Sequence, residues 1–273
     1  NYIDATINGG GHAEAILERI GPSGKLLGID WDCDLVEKLK SKYQISKNRN
    51  LLLTCGNYTK VKLAAAENNF RPVAGIIADL GFSSYHLEAS GRGFSFAKDE
   101  PLDMRYNPET NELTATKIIN TWTKQAIADI LLRFGEERFA HRIAAGILQN
   151  RPITTTRKLV EVIEQSVSRP YLRGRVHPAT RTFQALRIAV NGELDNLKKF
   201  LSAAAEVLAP GGRIAIISFH SLEDRIVKNL FRDMQKKEEM KIITKKPISA
   251  MEEEKRNNPR SRSAKLRAAI KIS

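Results

Sequence analysis

The chain has 273 residues, 42% of them hydrophobic, and carries 44 Lys and Arg against 31 Asp and Glu for a formal net charge of +13. That length accommodates one large α/β domain or two smaller ones, and that apolar content excludes a disordered chain. No run approaches the roughly 18 apolar residues of a membrane span, and a sequence pI near 9.8 points to a polyanionic partner, nucleic acid before others.

Residues 2–7 read as a buried strand that breaks into Gly9-Gly10-Gly11 and then opens a helix, with Ala13, Ile16, Leu17 and Ile20 at helical spacing. Glycine belongs where backbone takes positive φ or approaches a ligand closely. A helix start beside such a turn offers unpaired N–H groups to a carboxylate or phosphate. A plain strand-to-helix turn is the alternative. The next apolar run, residues 25–30, ends in Asp30, which is placed to accept from ribose hydroxyls and to reject a 2′-phosphate. An ordinary helix N-cap is the alternative there. The turn lacks the G-x-G-x-x-G spacing, which argues against a dinucleotide and for S-adenosylmethionine.

Further along, 34–42 predicts a helix, 51–55 a strand, 58–69 a helix and 73–80 a continuous apolar strand of the doubly buried, parallel kind. The fold class is therefore α/β, a doubly wound Rossmann-like sheet. In such sheets ligands sit beyond the carboxyl ends of strands, so the glycine turn, Asp30, Tyr58 and Asp79 are expected to converge. Asp79-Leu-Gly-Phe82 is either a plain strand-ending turn or a carboxylate presented at a strand tip with a nearby aromatic. That arrangement is suited to an exocyclic amine, which needs an acceptor for its proton and whose base must first be unstacked. Cys33 and Cys55, the only cysteines, lack metal-ligand spacing and are expected as two reduced thiols of a cytoplasmic protein. No signal peptide is visible and no metal is expected. The chain opens directly on a strand, so an upstream segment is expected to be missing.

Several motifs in one order carry a resemblance: Asp79-Leu-Gly-Phe-Ser-Ser, Arg92-Gly-Phe-Ser-Phe, Pro101-Leu-Asp-Met-Arg, Phe134-Gly-Glu-Glu-Arg, His177-Pro-Ala-Thr-Arg-Thr-Phe-Gln-Ala-Leu-Arg, Ser218-Phe-His-Ser-Leu-Glu-Asp-Arg and Arg262-Ser-Ala-Lys-Leu-Arg. Together they span nearly the whole chain. The chain resembles the bacterial 16S ribosomal RNA cytosine-N4 methyltransferases of the MraW type, within the class I S-adenosylmethionine-dependent fold. The resemblance implies S-adenosylmethionine as donor and a cytosine in the decoding region of 16S rRNA as acceptor, within the small ribosomal subunit. It implies Gly10, Gly11 and His12 at the methionine end of the donor, Asp30 at its ribose, Tyr58 at its adenine, and Asp79 and His86 completing the pocket. Asp79, Phe82 and His220 are the candidate catalytic residues, with a proton acceptor and a satisfied structural histidine as the alternatives for His220.

The expected organisation is a methyltransferase domain in two parts, 1–106 and 177–273, around a helical insertion at 107–176. Helical spacing recurs there at 112–122, 125–134, 137–149 and 156–167, with Thr123 and Thr154-Thr155-Thr156 as N-caps. A guiding lobe for RNA and a packing accessory remain alternatives for it. A helix at 177–190 carries Arg181 and Arg187, candidate phosphate ligands or structural ion pairs. A helix at 193–208, a Pro210-Gly-Gly turn and a strand at 213–218 follow. Residues 225–273 hold 15 Lys and Arg against 6 Asp and Glu, an RNA footprint. Within it, 257–263 is expected as a mobile loop presenting Arg260 and Arg262, and 264–272 as an edge strand starting near Lys265. A monomer or homodimer is expected. An RNA-binding assembly factor without catalysis, and a DNA or protein methyltransferase, are the competing classes.

Overall fold

Leu26–Asp30 (β2) is buried at every one of its five positions, and the rest of the sheet is laid out on either side of it. The computed structural model describes residues 1–45, 50–174 and 176–272. Its other strands are β1 (Tyr2–Asp4), β3 (Leu51–Cys55), β4 (Val73–Asp79), β5 (Leu208–Ser218), β6 (Met240–Ile242), β7 (Ile248–Ser249) and β8 (Lys265–Lys271). Their order is β3-β2-β1-β4-β5-β8-β6, with β7 also on β8. The first five run parallel, and β8 is antiparallel to β5, β6 and β7. The strand order reverses at β1, so the crevice for a ligand opens beyond the carboxyl ends of β1 and β4.

The chain forms two compact units, Asn1–Phe82 with Leu194–Ser273, and Ser83–Glu193. In the first, α1 (Gly11–Ile20), α2 (Cys33–Ile45) and α3 (Val61–Glu67) follow β1, β2 and β3. Side chains alternate across a strand. Accordingly Leu27 and Ile29 join a large core with Ile3, Val73, Ile76, Phe200 and Ile214. Leu26 turns the other way and packs with Ile7, Ala13, Leu39 and Tyr43.

The second unit is helical: α4 (Ser84–Glu88), α5 (Ala115–Thr121), α6 (Lys124–Gly135), α7 (Ala140–Gln149), α8 (Thr156–Ser166), α9 (Arg169–Leu172) and α10 (Ala179–Asn191). Thr123 and Thr155 cap α6 and α8 by accepting from the Ala126 and Lys158 amides. This unit reaches further at both ends than the 107–176 segment. Leu102 and Met104 belong to the same core as the helices, and so do Phe183, Leu186 and Val190 of α10.

The chain then returns to the first unit with the body of α11 (Glu193–Val207), α12 (Ser221–Lys236) and α13 (Glu252–Asn257). Three expectations change here. Strand β5 begins at Leu208 and takes in Pro210-Gly-Gly, with a register shift opposite Val73 and Gly75 rather than a separate turn. Strand β8 is interior, because β6 and β7 pair with the side that β5 leaves open. Residues Pro259–Ser263, expected as a mobile loop, form a 3-10 helix.

Cys33 and Cys55 form a disulfide with Cα atoms 5.1 Å apart, not two separate thiols. The parallel register sets Cys55 opposite Asp30, and α2 starts three residues after Asp30, so the two side chains meet although 22 positions separate them.

Candidate functional site

The turn after β1 is built on two left-handed residues, Asn8 (φ 49°) and Gly10 (φ 86°). The Gly10 amide donates to the Ile7 carbonyl at 2.9 Å, and the Glu14 amide to the Gly10 carbonyl, which starts α1. A Cβ on Gly10 would lie 2.4 Å from the Tyr43 hydroxyl, whereas one on Gly9 or Gly11 would meet nothing within 4 Å. Gly10 is thus demanded by the fold. Gly9 and Gly11 leave the backbone open on the side where a ligand can approach.

Three carboxyl groups stand at the carboxyl ends of neighbouring parallel strands: Asp4 on β1, Asp30 on β2 and Asp79 on β4. The Asn8 amide donates to Asp30 Oδ2 at 2.9 Å and the Asp32 amide to Asp30 Oδ1 at 3.0 Å. Those two bonds fix the orientation of the carboxylate at the tip of β2. Asp79 is fixed through its backbone, its amide donating to Thr6 Oγ1 at 2.6 Å and its carbonyl accepting from Asn8 Nδ2 at 3.4 Å. Its Oδ2 lies 3.4 Å from His12 Nε2, and its Oδ1 is buried with no hydrogen-bond partner. The Asp79 hydrogen bond, with its charge, raises the His12 pKa above the ordinary imidazole value.

Sequence reasoning passed over Asp4. It is fully buried, its Oδ1 accepts from the Thr6 amide at 3.2 Å, and its Oδ2 is buried without a partner. Burial pushes its pKa up to about 7. A lone aspartate among β-forming residues was the available signal. Two orphaned carboxyl oxygens, an oriented Asp30 and an open glycine turn suit a ligand that combines a ribose diol with cationic groups. S-adenosylmethionine, with its sulfonium and ammonium, fits that donor set.

Tyr58 opens a 3-10 turn after β3 that Asn57 caps by accepting from the Thr59 amide. Its ring meets Phe200 edge-on at 5.0 Å. Phe82, half-buried, ends the first segment of the first unit. His86 falls in the second unit, 2% exposed. Its Nδ1 accepts from the Ser83 amide at 3.1 Å, and its ring packs edge-on against Phe94 and Tyr106. As the third residue of α4 it completes a capping box with the N-cap Ser83, and it fills the core there.

His220 is the N-cap of α12. Its Nδ1 accepts from the Glu223 amide, and Glu223 reaches back to the Phe219 and His220 amides. That is a reciprocal capping box, a structural use of the proposed proton acceptor. Arg187 is buried and pairs in bidentate fashion with Glu193 at 2.8 and 2.9 Å, so of its two readings the structure shows the structural ion pair. Arg181 is exposed and donates to the Glu136 carbonyl. Arg260 and Arg262 are exposed on the 3-10 helix, and Lys265 Nζ lies 3.8 Å from Asp224.

Residues 1–272 match the model of the MraW methylase family. The chain is 47% identical over 271 residues to "Ribosomal RNA small subunit methyltransferase H" of Synechococcus elongatus, covering 99% of this chain and 88% of that protein. To the protein of that name from Fervidobacterium nodosum it is 45% identical, covering 99% and 90%. Among solved structures it resembles an rRNA methylase from Streptococcus thermophilus at 10% identity and a TM-score of 0.44, covering all of this chain and 86% of that one. That likeness is too distant to bear on the site. Among the described residues no helix is long and apolar enough to cross a membrane.

Proposed function

The chain belongs to the MraW methylase family, and on that footing we propose that it is an S-adenosylmethionine-dependent methyltransferase of small-subunit ribosomal RNA, acting on the exocyclic N4 amine of a cytosine in the decoding region of 16S rRNA. Its place of action is the cytoplasm, where that RNA is assembled. The observation that carries the reading is Asp79, a carboxylate at the tip of β4 with one oxygen beside His12 and the other buried and unclaimed.

S-adenosylmethionine supplies a methyl group bound to sulfonium, an electrophile that an amine can displace directly. Bound there, it would give up that methyl group to N4 and leave as S-adenosylhomocysteine, with the N4 proton passing to solvent by way of the Asp79 carboxylate that faces the amine. Asp30 holds the ribose, steered by the Asn8 amide. Gly9 and Gly11 let the backbone close on the methionine end. The free Asp79 oxygen accepts from the amine and turns its lone pair towards the methyl group, while the His12 contact fixes the other oxygen. The protein's contribution is positioning and an oriented polar surround.

The test offers labelled S-adenosylmethionine with purified small ribosomal subunits, naked 16S RNA and DNA, followed by nucleoside analysis. N4-methylcytidine from the ribosomal samples is the expected product. Label in DNA or protein, or at another atom of the RNA, overturns the assignment.

A further inference from the structure

The helical unit carries a cluster the methyl-transfer site does not use. Glu137, between α6 and α7, is fully buried. Its Oε1 accepts from the Phe139 amide at 2.8 Å, and its Oε2 accepts from the Tyr171 hydroxyl at 2.5 Å. This pins Tyr171 of α9 edge-on against Phe139, with ring centres 4.9 Å apart. Two exposed arginines lie over that pair, and a third is held beside it. The Arg138 guanidinium sits 4.7 Å from the Tyr171 ring and 5.1 Å from the Phe139 ring. Arg142, one turn on, sits 5.8 Å from the Phe139 ring. Arg181 of α10 donates to the Glu136 carbonyl at 2.8 Å. It is brought there because α6 and α10 pack closely: a Cβ on Gly135 would lie 2.6 Å from the Arg181 carbonyl oxygen.

Among the described residues, no carboxylate lies within ion-pair distance of Arg138, Arg142 or Arg181. Glu137 is turned inward on the tyrosine and the Phe139 amide, and the nearby Glu136 reaches Arg181 through its carbonyl. Arg169 and Arg173, flanking Tyr171 on α9, are exposed as well. A guanidinium resting on a ring keeps its N–H edges for an anion, and its plane matches two phosphate oxygens. The rings restrict Arg138 and Arg142, and the Glu136 carbonyl restricts Arg181, before any ligand arrives, so less freedom is lost on binding.

We propose that Arg138, Arg142 and Arg181, set around Tyr171 and Phe139, form a backbone grip for RNA on the helical unit, distinct from the basic C-terminal region. The proposal rests on the reading of the chain as an RNA methyltransferase and names where the substrate's phosphates are held. The grip is independent of sequence, because it addresses phosphates rather than base edges.

The experiment compares the full chain with Arg142→Gln/Arg181→Gln, leaving stacked Arg138 in place. It measures the Kd for 16S RNA over a series of salt concentrations, with melting temperature and S-adenosylmethionine binding recorded alongside. The double variant is expected to bind RNA on the order of tenfold more weakly, with the log–log salt slope shallower by about two, while its melting temperature and cofactor affinity stay at parental values. Unchanged RNA affinity and slope in the folded variant overturn the grip. On the parent chain, dicarbonyl labelling of Arg142 and Arg181 should fall when RNA is added; undiminished labelling also overturns it. Methyl transfer by the parent is scored separately. Transfer with binding independent of the patch strikes the grip alone, and patch-dependent binding without transfer strikes the catalytic reading alone.

Discussion

The main-chain amide of Asn8 donates to the Asp30 carboxylate across 2.9 Å. This single bond ties the glycine turn after β1 to the tip of β2. Asn8 holds a left-handed backbone, φ 49°, so the turn that presents the open glycines also aims the carboxylate.

On the proposed reading, replacing Asp30 by Ala removes the acceptor for the cofactor's diol, and it also removes the partner of two backbone amides. Hydrogen bonds to a charged group are worth about 1.5–3 kcal/mol. Calorimetry should therefore show cofactor affinity lowered roughly 10- to 100-fold. Asp30→Asn, which keeps an acceptor for one amide, should fall between that variant and the parent.

Two neighbouring glycines should respond differently. Gly10→Ala forces a side chain into φ 86° and against the Tyr43 hydroxyl, a strain of about 1–3 kcal/mol that lowers the melting temperature. Gly11→Ala meets no protein atom within 4 Å. It should melt like the parent and lose cofactor affinity instead. Equal melting points for the two alanine variants would contradict this division.

The buried Asp4 makes stability fall as pH rises. Its folded pKa, about 7, stands above the ordinary aspartate value of 3.8. Below the lower value both states are protonated and no penalty arises. Between the two values only the unfolded chain ionises, and above the folded value the cost is complete, on the order of a few kcal/mol. His12 adds to the same trend. Its pKa is raised from 6.5, so its contribution is full at lower pH and is lost as pH rises through the folded value. Denaturation between pH 4 and 8 should show declining stability, and Asp4→Asn should flatten much of that decline.

Arg187→Ala leaves Glu193 buried without its bidentate partner. Removing one member of such a pair costs about 3–5 kcal/mol, so this variant should be strongly destabilised in thermal melts. Arg181→Ala, at an exposed position, should melt within a few degrees of the parent.

The Cys33–Cys55 bond closes a loop across 22 positions. By chain entropy such a crosslink stabilises by about 3 kcal/mol. Denaturation with and without a thiol reductant should reveal a loss of that order, and Cys33→Ser/Cys55→Ser should abolish the dependence.

The parallel sheet was legible because doubly buried strands are uniform apolar runs that stop at a carboxylate, as 73–79 does. Asp30 and Asp79 were readable for the same reason. Pairing across the sheet was not. The alternation in β8 marks a strand but does not count its neighbours, and two short strands, β6 and β7, supply them. The cysteine pair depends on the register of β2 with β3, which no local pattern encodes. His220 and His86 drew attention as histidines near motifs, yet their Nδ1 atoms accept from backbone amides in helix capping boxes. The lower boundary of the helical unit was hidden because Leu102 and Met104 lie outside any helix while sharing the helices' core.

Asp4, Asp30 and Asp79 are far apart along the chain, and hydrogen-bonded register alone brings them to one edge: Asp4 lies opposite Gly28 and Ile77. Variation in chain length is therefore unequal in its effects. Several residues added to a surface connection can be absorbed where they enter, since closing a longer loop costs little. One residue added inside β4 turns every later side chain to the opposite face, carrying Asp79 away from His12. The edge that gathers these carboxyl groups is protected by the counting of strand residues, and a single in-frame codon there outweighs a whole inserted loop elsewhere.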